Sequence, residues 1–281
     1  MIDEDEHGIF TIREVDGGKY LSVRCNATAL VYLFGKPETQ YVQESQAHFP
    51  ALFAPSLERA LVIGSGYGIT AGALARWPVG VVHAVEILPL LVAHADHFRR
   101  GNHDYLANPR LRMHVTDGRH FLAASPEDYD LVSINVSDPY LPGSASLFST
   151  EFYALVRSRL RPGGVVCQHV FGPDAATLYH GFKAAFPHVR VVPAYGNGAS
   201  LVGSLEPLEL RNLPLLADPE VGEMLAAIGI AGEPGIRSAL ARGDALQRGF
   251  EAVEPAFRNS DVHPVLEFRR SPDVNLLHSN Y

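Results

Sequence analysis

The sequence predicts an α/β protein: a doubly wound, mostly parallel sheet preceded by a small β-domain. Three observations carry that expectation. From residue 60 onward, short apolar runs alternate with helix-periodic stretches, the pattern of strands buried on both faces and joined by crossover helices. A glycine-rich turn, Gly64-Ser65-Gly66-Tyr67-Gly68, links the first such run to the first such helix. Before residue 60 the texture differs, with strand-like runs flanking a turn.

Each element follows in order. GIFTIREV (8–15), Asp16-Gly17-Gly18 and KYLSVRC (19–25) read as a β-hairpin, and ALVYLF (29–34) as a third strand. Pro37, Pro50 and Pro55 surround a helix-like stretch, TQYVQESQAHF (39–49). ALVIG (60–64) is the first buried strand, followed by the helical ITAGALARW (69–77). VVHAVE (81–86) is a strand, and LPLLVAHADHFRR (88–100) has helical period. RMHVTD (112–117) and YDLVSIN (129–135) are strands, and STEFYALVRSRL (149–160) is a helix ended by Pro162-Gly163-Gly164. VVCQHVF (165–171) and VRVVPAY (189–195) continue the alternation, with Gly196-Asn197-Gly198 as a hairpin turn to the last strand. The final 75 residues or so carry many Pro and Gly and are expected to form short helical pieces. The expected division is 1–55 for the β-domain and 56–281 for the larger domain with a C-terminal helical extension.

Composition narrows the function. The chain has 281 residues, 47% hydrophobic and 19% charged, with a formal charge of −8 and pI near 5.9. An acidic chain lacks the basic surface that nucleic-acid binding needs, so no nucleic-acid partner is expected. The longest uncharged run, Ala60 to Ala75, is broken by four glycines and too short to span a membrane. The acidic start, MIDEDEHG, is unlike a secretory or transit signal, and a cytoplasmic location is expected. Cys25 and Cys167 read as reduced core thiols, and no metal-ligand spacing is present. His94 and His97, three apart, read as a solvated helix face, not a metal site.

A nucleoside site is the strongest functional signal. Gly64, Gly66 and Gly68 allow a tight turn and a close ligand approach, but Ile69 stands where a dinucleotide fingerprint needs glycine. Glu86 ends the next strand, 20 positions after Gly66, where a carboxylate can accept from ribose hydroxyls. Asp117-Gly118 ends the strand after that, where the acid can accept from an adenine amine. The bland alternative is a helix cap for Asp117 and a surface acid for Glu86. The expected ligand is an adenosine without an essential pyrophosphate, such as S-adenosylmethionine. Asp138-Pro139 follows the fourth strand and can orient or deprotonate an attacking amine, or make turn hydrogen bonds instead. Tyr140 and Tyr195 can wall a cationic sulfonium with their ring faces or simply pack.

The chain resembles the spermidine synthase family, which has the class I methyltransferase fold with a seven-stranded sheet. The resemblance covers roughly residues 8–205, with a weaker tail to 270. It rests on YVQESQAHFP (41–50), ALVIGSGYG (60–68), HAVEI (83–87), NPRLRMHVTDGRHFL (108–122), YDLVSINVSDP (129–139), LFSTEFY (147–153) and LRPGGVVCQ (160–168). ITAGAL, LFSTEFY and NSDVHPVLEFR (259–269) are similar to a divergent branch. The resemblance implies nucleoside contacts from Gln43, Glu86 and Asp117, a catalytic Asp138, and a homodimer. At two places the chain departs from the family. Asn135 replaces the acid taken to activate the acceptor amine, and Tyr67 replaces the acid that holds the donor's aminopropyl nitrogen. An amide takes no proton at neutral pH, so these departures argue against authentic spermidine synthesis. The expected function is a transferase that uses S-adenosylmethionine or decarboxylated S-adenosylmethionine, without a metal. It moves an aminopropyl-type group to a small amine and releases methylthioadenosine. The alternatives are methyl transfer, cyclisation of S-adenosylmethionine's own tail, and nucleoside binding without catalysis.

Overall fold

A computed structural model describes residues 1–6, 8–25, 28–136, 138–140, 143–194 and 198–269, with the backbone alone over 28–33. The N-terminal part is a four-stranded antiparallel sheet in sequential order. Its strands are β1 (Ile2–Asp5), β2 (Gly8–Val15), β3 (Tyr20–Cys25) and β4 (Thr28–Phe34). The hairpin and third strand are where the sequence placed them. β1 was not foreseen, because its acidic residues disfavour strand and only pairing with β2 fixes it.

Helix α1 (Pro37–Phe53) is longer than expected, because Pro50 lies inside it. Proline has no N–H, so the carbonyl of Gln46 loses its helical partner. Ser133 supplies one, donating its hydroxyl to Gln46 O at 3.0 Å. The helix therefore runs through a residue that normally ends one.

The rest of the chain builds the larger sheet. In order come β5 (Arg59–Ile63), α2 (Ile69–Ala75), β6 (Val81–Glu86), α3 (Pro89–Ala93), α4 (Arg99–Asn102) and β7 (Leu111–Val115). Next are α5 (Gly118–Ala124), β8 (Tyr129–Ile134), α6 (Thr150–Ser158), β9 (Leu160–Val170) and α7 (Ala175–Ala185). The last are β10 (His188–Pro193), β11 (Ala199–Ser204), α8 (Pro219–Ala227) and α9 (Gly232–Glu251). The strand order is β10-β11-β9-β8-β5-β6-β7, with β11 antiparallel to both neighbours and the other pairings parallel. The chain reverses direction across the sheet between β5 and β8. A crevice opens at the carboxyl ends of strands at such a point.

Three expectations are corrected. The helix over 88–100 is broken into α3, a 3₁₀ turn (Ala95–Phe98) and α4. His94 is not on a solvated face: its Nε2 is 2.8 Å from Asp3 Oδ2 and its ring stacks on Phe10, which joins the two sheets. The tail is not only short pieces, since α9 has 20 residues. Its glycines disguise it, and Gly243 has a packing reason: a Cβ there would lie 1.7 Å from the carbonyl oxygen of Val191 on β10.

One core layer packs Phe49, Leu52, Leu74 and Trp77 against the α1 side of the sheet. The other packs Phe152, Tyr153, Phe182 and Phe186 on the opposite side. A third cluster joins Phe10, Ile12, Val23 and Phe34 of the small sheet to Tyr67, Ile69, Leu91 and Phe98. Cys167 is buried, Cys25 is half-buried, and neither forms a disulfide. No helix among the described residues is long and apolar enough to cross a membrane.

Candidate nucleoside site at the carboxyl edge

The glycine loop leaves β5 with Gly64, Gly66 and Gly68 all in the left-handed region. The N–H groups of Gly64 and Ser65 both donate to Val85 O at 2.9 Å, which ties the loop to β6. Position 68 needs glycine twice over: its φ is +87°, and a Cβ would lie 2.3 Å from the ring of Tyr105. Asn102 holds the loop from behind, donating from Nδ2 to Tyr67 O at 2.8 Å and to Ala95 O at 3.0 Å.

Glu86 is buried and reaches this loop. Its Oε2 accepts from Gly66 N at 2.7 Å, and its Oε1 accepts from Leu88 N at 3.0 Å. Asp117 caps α5, with Oδ1 accepting from His120 N at 2.7 Å. The acid is exposed, and the cap leaves Oδ2 to serve a ligand. Gly118 is the first residue of α5 and packs against Ile63. Gln43 is fixed on α1 by Thr70, whose hydroxyl lies 2.7 Å from Gln43 O and 3.3 Å from its Oε1.

Tyr67 points into the joint between the two sheets. It is 3% exposed, with its ring 4.4 Å from Phe98 and edge-on to Phe34 at 6.2 Å. Its hydroxyl has no hydrogen-bond partner among the described residues. Burial, and after it the charge of Glu86, pushes its pKa well above the ordinary tyrosine value. Ile69 is buried in the same cluster.

Beyond β8, Asn135 donates its backbone N–H to Ile63 O at 2.8 Å, and its Oδ1 lies 3.1 Å from Ser133 Oγ. Asp138 is half-buried, and its Oδ1 accepts from Tyr140 N at 2.9 Å. The phenol of Tyr140 donates to Asp174 Oδ2 at 2.8 Å. Asp174 also grips Arg269, with Nε at 2.9 Å and Nη2 at 3.0 Å, while the guanidinium lies 4.8 Å from the centre of the Phe257 ring. Burial and Asp174 together push the Tyr140 phenol's pKa up. Tyr195, Gly196 and Asn197 lie outside the described residues.

The structure thus joins the loop to Glu86, places Asp117 two strands from β5, and sets Tyr67 apart in the joint. Asn102, Tyr105, Asp174 and Arg269 escaped the sequence reading. Asn102 follows Arg99-Arg100-Gly101, so nothing in its neighbourhood marks it as a support of the loop. Among the described residues, no group of three or more His, Cys, Asp or Glu could hold a metal ion.

This architecture is that of the class I methyltransferase-like α/β proteins. Residues 39–174 match the Spermine/spermidine synthase domain. A polyamine aminopropyltransferase 2 from Aquifex aeolicus is 28% identical over 65% of this chain and 39% of its own length. A spermidine synthase from Coffea arabica is 33% identical over 60% of this chain and 57% of its own. The chain therefore spans about two-fifths to three-fifths of these curated relatives. The solved spermidine synthase from Thermotoga maritima superposes with a TM-score of 0.72 over 90% of this chain and 87% of its own, at 16% identity, and so shares the fold. The chain is spermidine synthase-like in sequence and in fold.

Proposed function

We propose that this protein is a transferase that uses a sulfonium nucleoside, S-adenosylmethionine or its decarboxylated form, to alkylate a small amine. Methylthioadenosine is the product left behind. The observation that carries the reading is the bond from Gly66 N to Glu86 Oε2, which brings the glycine loop and a strand-end acid to one place. Similarity to polyamine aminopropyltransferases supplies the reaction class. In this reading Glu86 takes the ribose, Asp117 Oδ2 takes the adenine amine, and Gln43 borders the nucleoside. The amine lone pair bonds to the methylene carbon beside sulfur, and the C–S pair leaves on sulfur as a neutral thioether. Asp138 orients the amine and accepts its proton. A homodimer in the cytoplasm belongs to the same reading.

Tyr67 and Asn135 set this chemistry apart from spermidine synthesis. In place of the two acids that would hold and activate amines, this chain has a phenol buried in the joint between the sheets and the amide of Asn135. Loss of a general base costs about 10²–10⁴ in rate. Putrescine with decarboxylated S-adenosylmethionine is therefore a poor pair for this chain. The test is methylthioadenosine release by wild type and Asp138→Asn, with thermal shift by methylthioadenosine as the binding control. Release that vanishes in Asp138→Asn while the thermal shift persists supports the reading. Absence of a thermal shift with any adenine nucleoside, or fast spermidine formation by the wild type, overturns it.

A further inference from the structure

A row of polar side chains crosses the carboxyl edge of the sheet on the face covered by α1. Ser133 Oγ lies within hydrogen-bond distance of both Gln46 O on α1 and Asn135 Oδ1, which puts the end of β8 on that face. β8 and β9 are parallel with Ile134 opposite Gln168, so Asn135 and His169 are the next positions along the edge. Gln168 faces the other way: it accepts from Tyr153 OH and donates to Leu147 O. Side chains alternate along a strand, so His169 lies on the α1 face. On β11, Ser200 is directly opposite His169.

Three atoms in this group are buried without a hydrogen-bond partner among the described residues: His169 Nδ1, Ser200 Oγ and Gln46 Oε1. The side chains themselves are well covered, with exposures of 6%, 0% and 0%. Gln46 donates from Nε2 to Val42 O at 3.2 Å, which leaves its Oε1 unmatched. Buried polar atoms are almost always bonded, and exceptions mark strain, ordered water or a ligand. Three on one face, beside the loop that carries Asp138, point to a polar group from outside the chain.

We propose that Gln46, His169 and Ser200 form the subsite for the far end of the acceptor, and that it takes a hydroxyl or an amide in preference to a second ammonium. This rests on the transferase reading above. Asp138 is the one acid in the segment from Asn135 to Gly143, and the attacking amine engages it. A second ammonium in the row would meet only neutral side chains. Burial pushes the His169 pKa down to about 4, so the ring is neutral at pH 7. With its proton on Nε2, it presents a lone pair at Nδ1. A hydroxyl can donate to that lone pair and accept from Ser200. A buried ammonium without a counter-charge has no comparable compensation, and an apolar end would leave all three atoms unmatched.

The test is calorimetric titration of the whole chain, saturated with methylthioadenosine, with three amines of similar length: 3-aminopropanol, 1,3-diaminopropane and n-butylamine. The amino alcohol is expected to bind at least about tenfold more tightly than either of the others, about 1.4 kcal/mol. Ser200→Ala and His169→Leu should each bring the amino alcohol close to butylamine. Ser200→Ala is the smaller change, and the thermal shift by methylthioadenosine checks that each variant is folded. Equal or tighter binding of the diamine overturns the subsite. So does equal binding of butylamine, which would leave the three atoms to water. Failure of methylthioadenosine itself to bind removes the transferase reading, and the subsite with it.

Discussion

Trp77 donates its indole N–H to Nδ1 of His48 at 2.9 Å, so His48 carries its own proton on Nε2. That nitrogen faces Glu44 Oε2 at 3.3 Å. His103 repeats the arrangement, with Nδ1 3.1 Å from Arg76 Nη1 and Nε2 2.7 Å from Glu44 Oε1. Gln40 adds a third donor to Glu44 at 2.7 Å. Glu44 is 2% exposed, so a buried carboxylate sits behind α2 held by three N–H groups.

Glu44 makes stability depend on acid. Burial opposes its ionisation, but the bonds from His103, His48 and Gln40 outweigh it and hold the pKa at about 2, against an ordinary 4.5. A depressed pKa contributes stability that is full above the unfolded value and is lost as pH falls through the folded one. The loss should lie between about pH 5 and pH 2 and amount to about 3 kcal/mol. Urea unfolding across that range checks it. Glu44→Gln should be less stable at pH 7 and less sensitive to acid, and an unchanged slope would remove Glu44 as the cause.

The Pro50–Ser133 relation can be measured as a coupling. Ser133→Ala strands the carbonyl of Gln46 and should cost about 1–3 kcal/mol. Pro50→Ala restores the helical N–H, so Ser133→Ala should cost clearly less in that background. A double-mutant cycle with no coupling would show that the two residues do not share this carbonyl.

Tyr67→Phe removes a buried hydroxyl that has no partner among the described residues. It should stabilise the protein by about 1 kcal/mol and leave methylthioadenosine affinity unchanged. A loss of nucleoside affinity in this variant would show that the hydroxyl serves the ligand.

Asp117 has two separable jobs. Asp117→Ala should weaken methylthioadenosine binding by about 1–3 kcal/mol and, by uncapping α5, lower stability by about 0.5–2 kcal/mol. Asp117→Ser keeps a capping oxygen but no carboxylate, so it should restore stability and not affinity. Recovery of both by serine would assign Asp117 to the cap alone.

Much of this was legible in the sequence because it is local. Buried strands announce themselves as apolar runs, and the 20-residue interval from Gly66 to Glu86 is one βαβ step, which the Gly66–Glu86 bond closes. What escaped depends on partners far along the chain. β1 needs β2, α9 needs the surface of β10 to explain its glycines, and Tyr67 reads as a loop residue until Phe34 and Phe98 enclose it. Arg269 and Asp174 are 95 positions apart, beyond any periodic pattern.

That last pair sets a timetable for synthesis. A chain emerging from the ribosome can assemble β5 to β9 early, since domains begin folding from the N-terminal side. Asp174 and the phenol of Tyr140 then wait, because the guanidinium that neutralises Asp174 lies at residue 269. The loop bearing Asp138 is among the last parts to be fixed, so a nascent chain acquires its sheet well before it acquires a settled site.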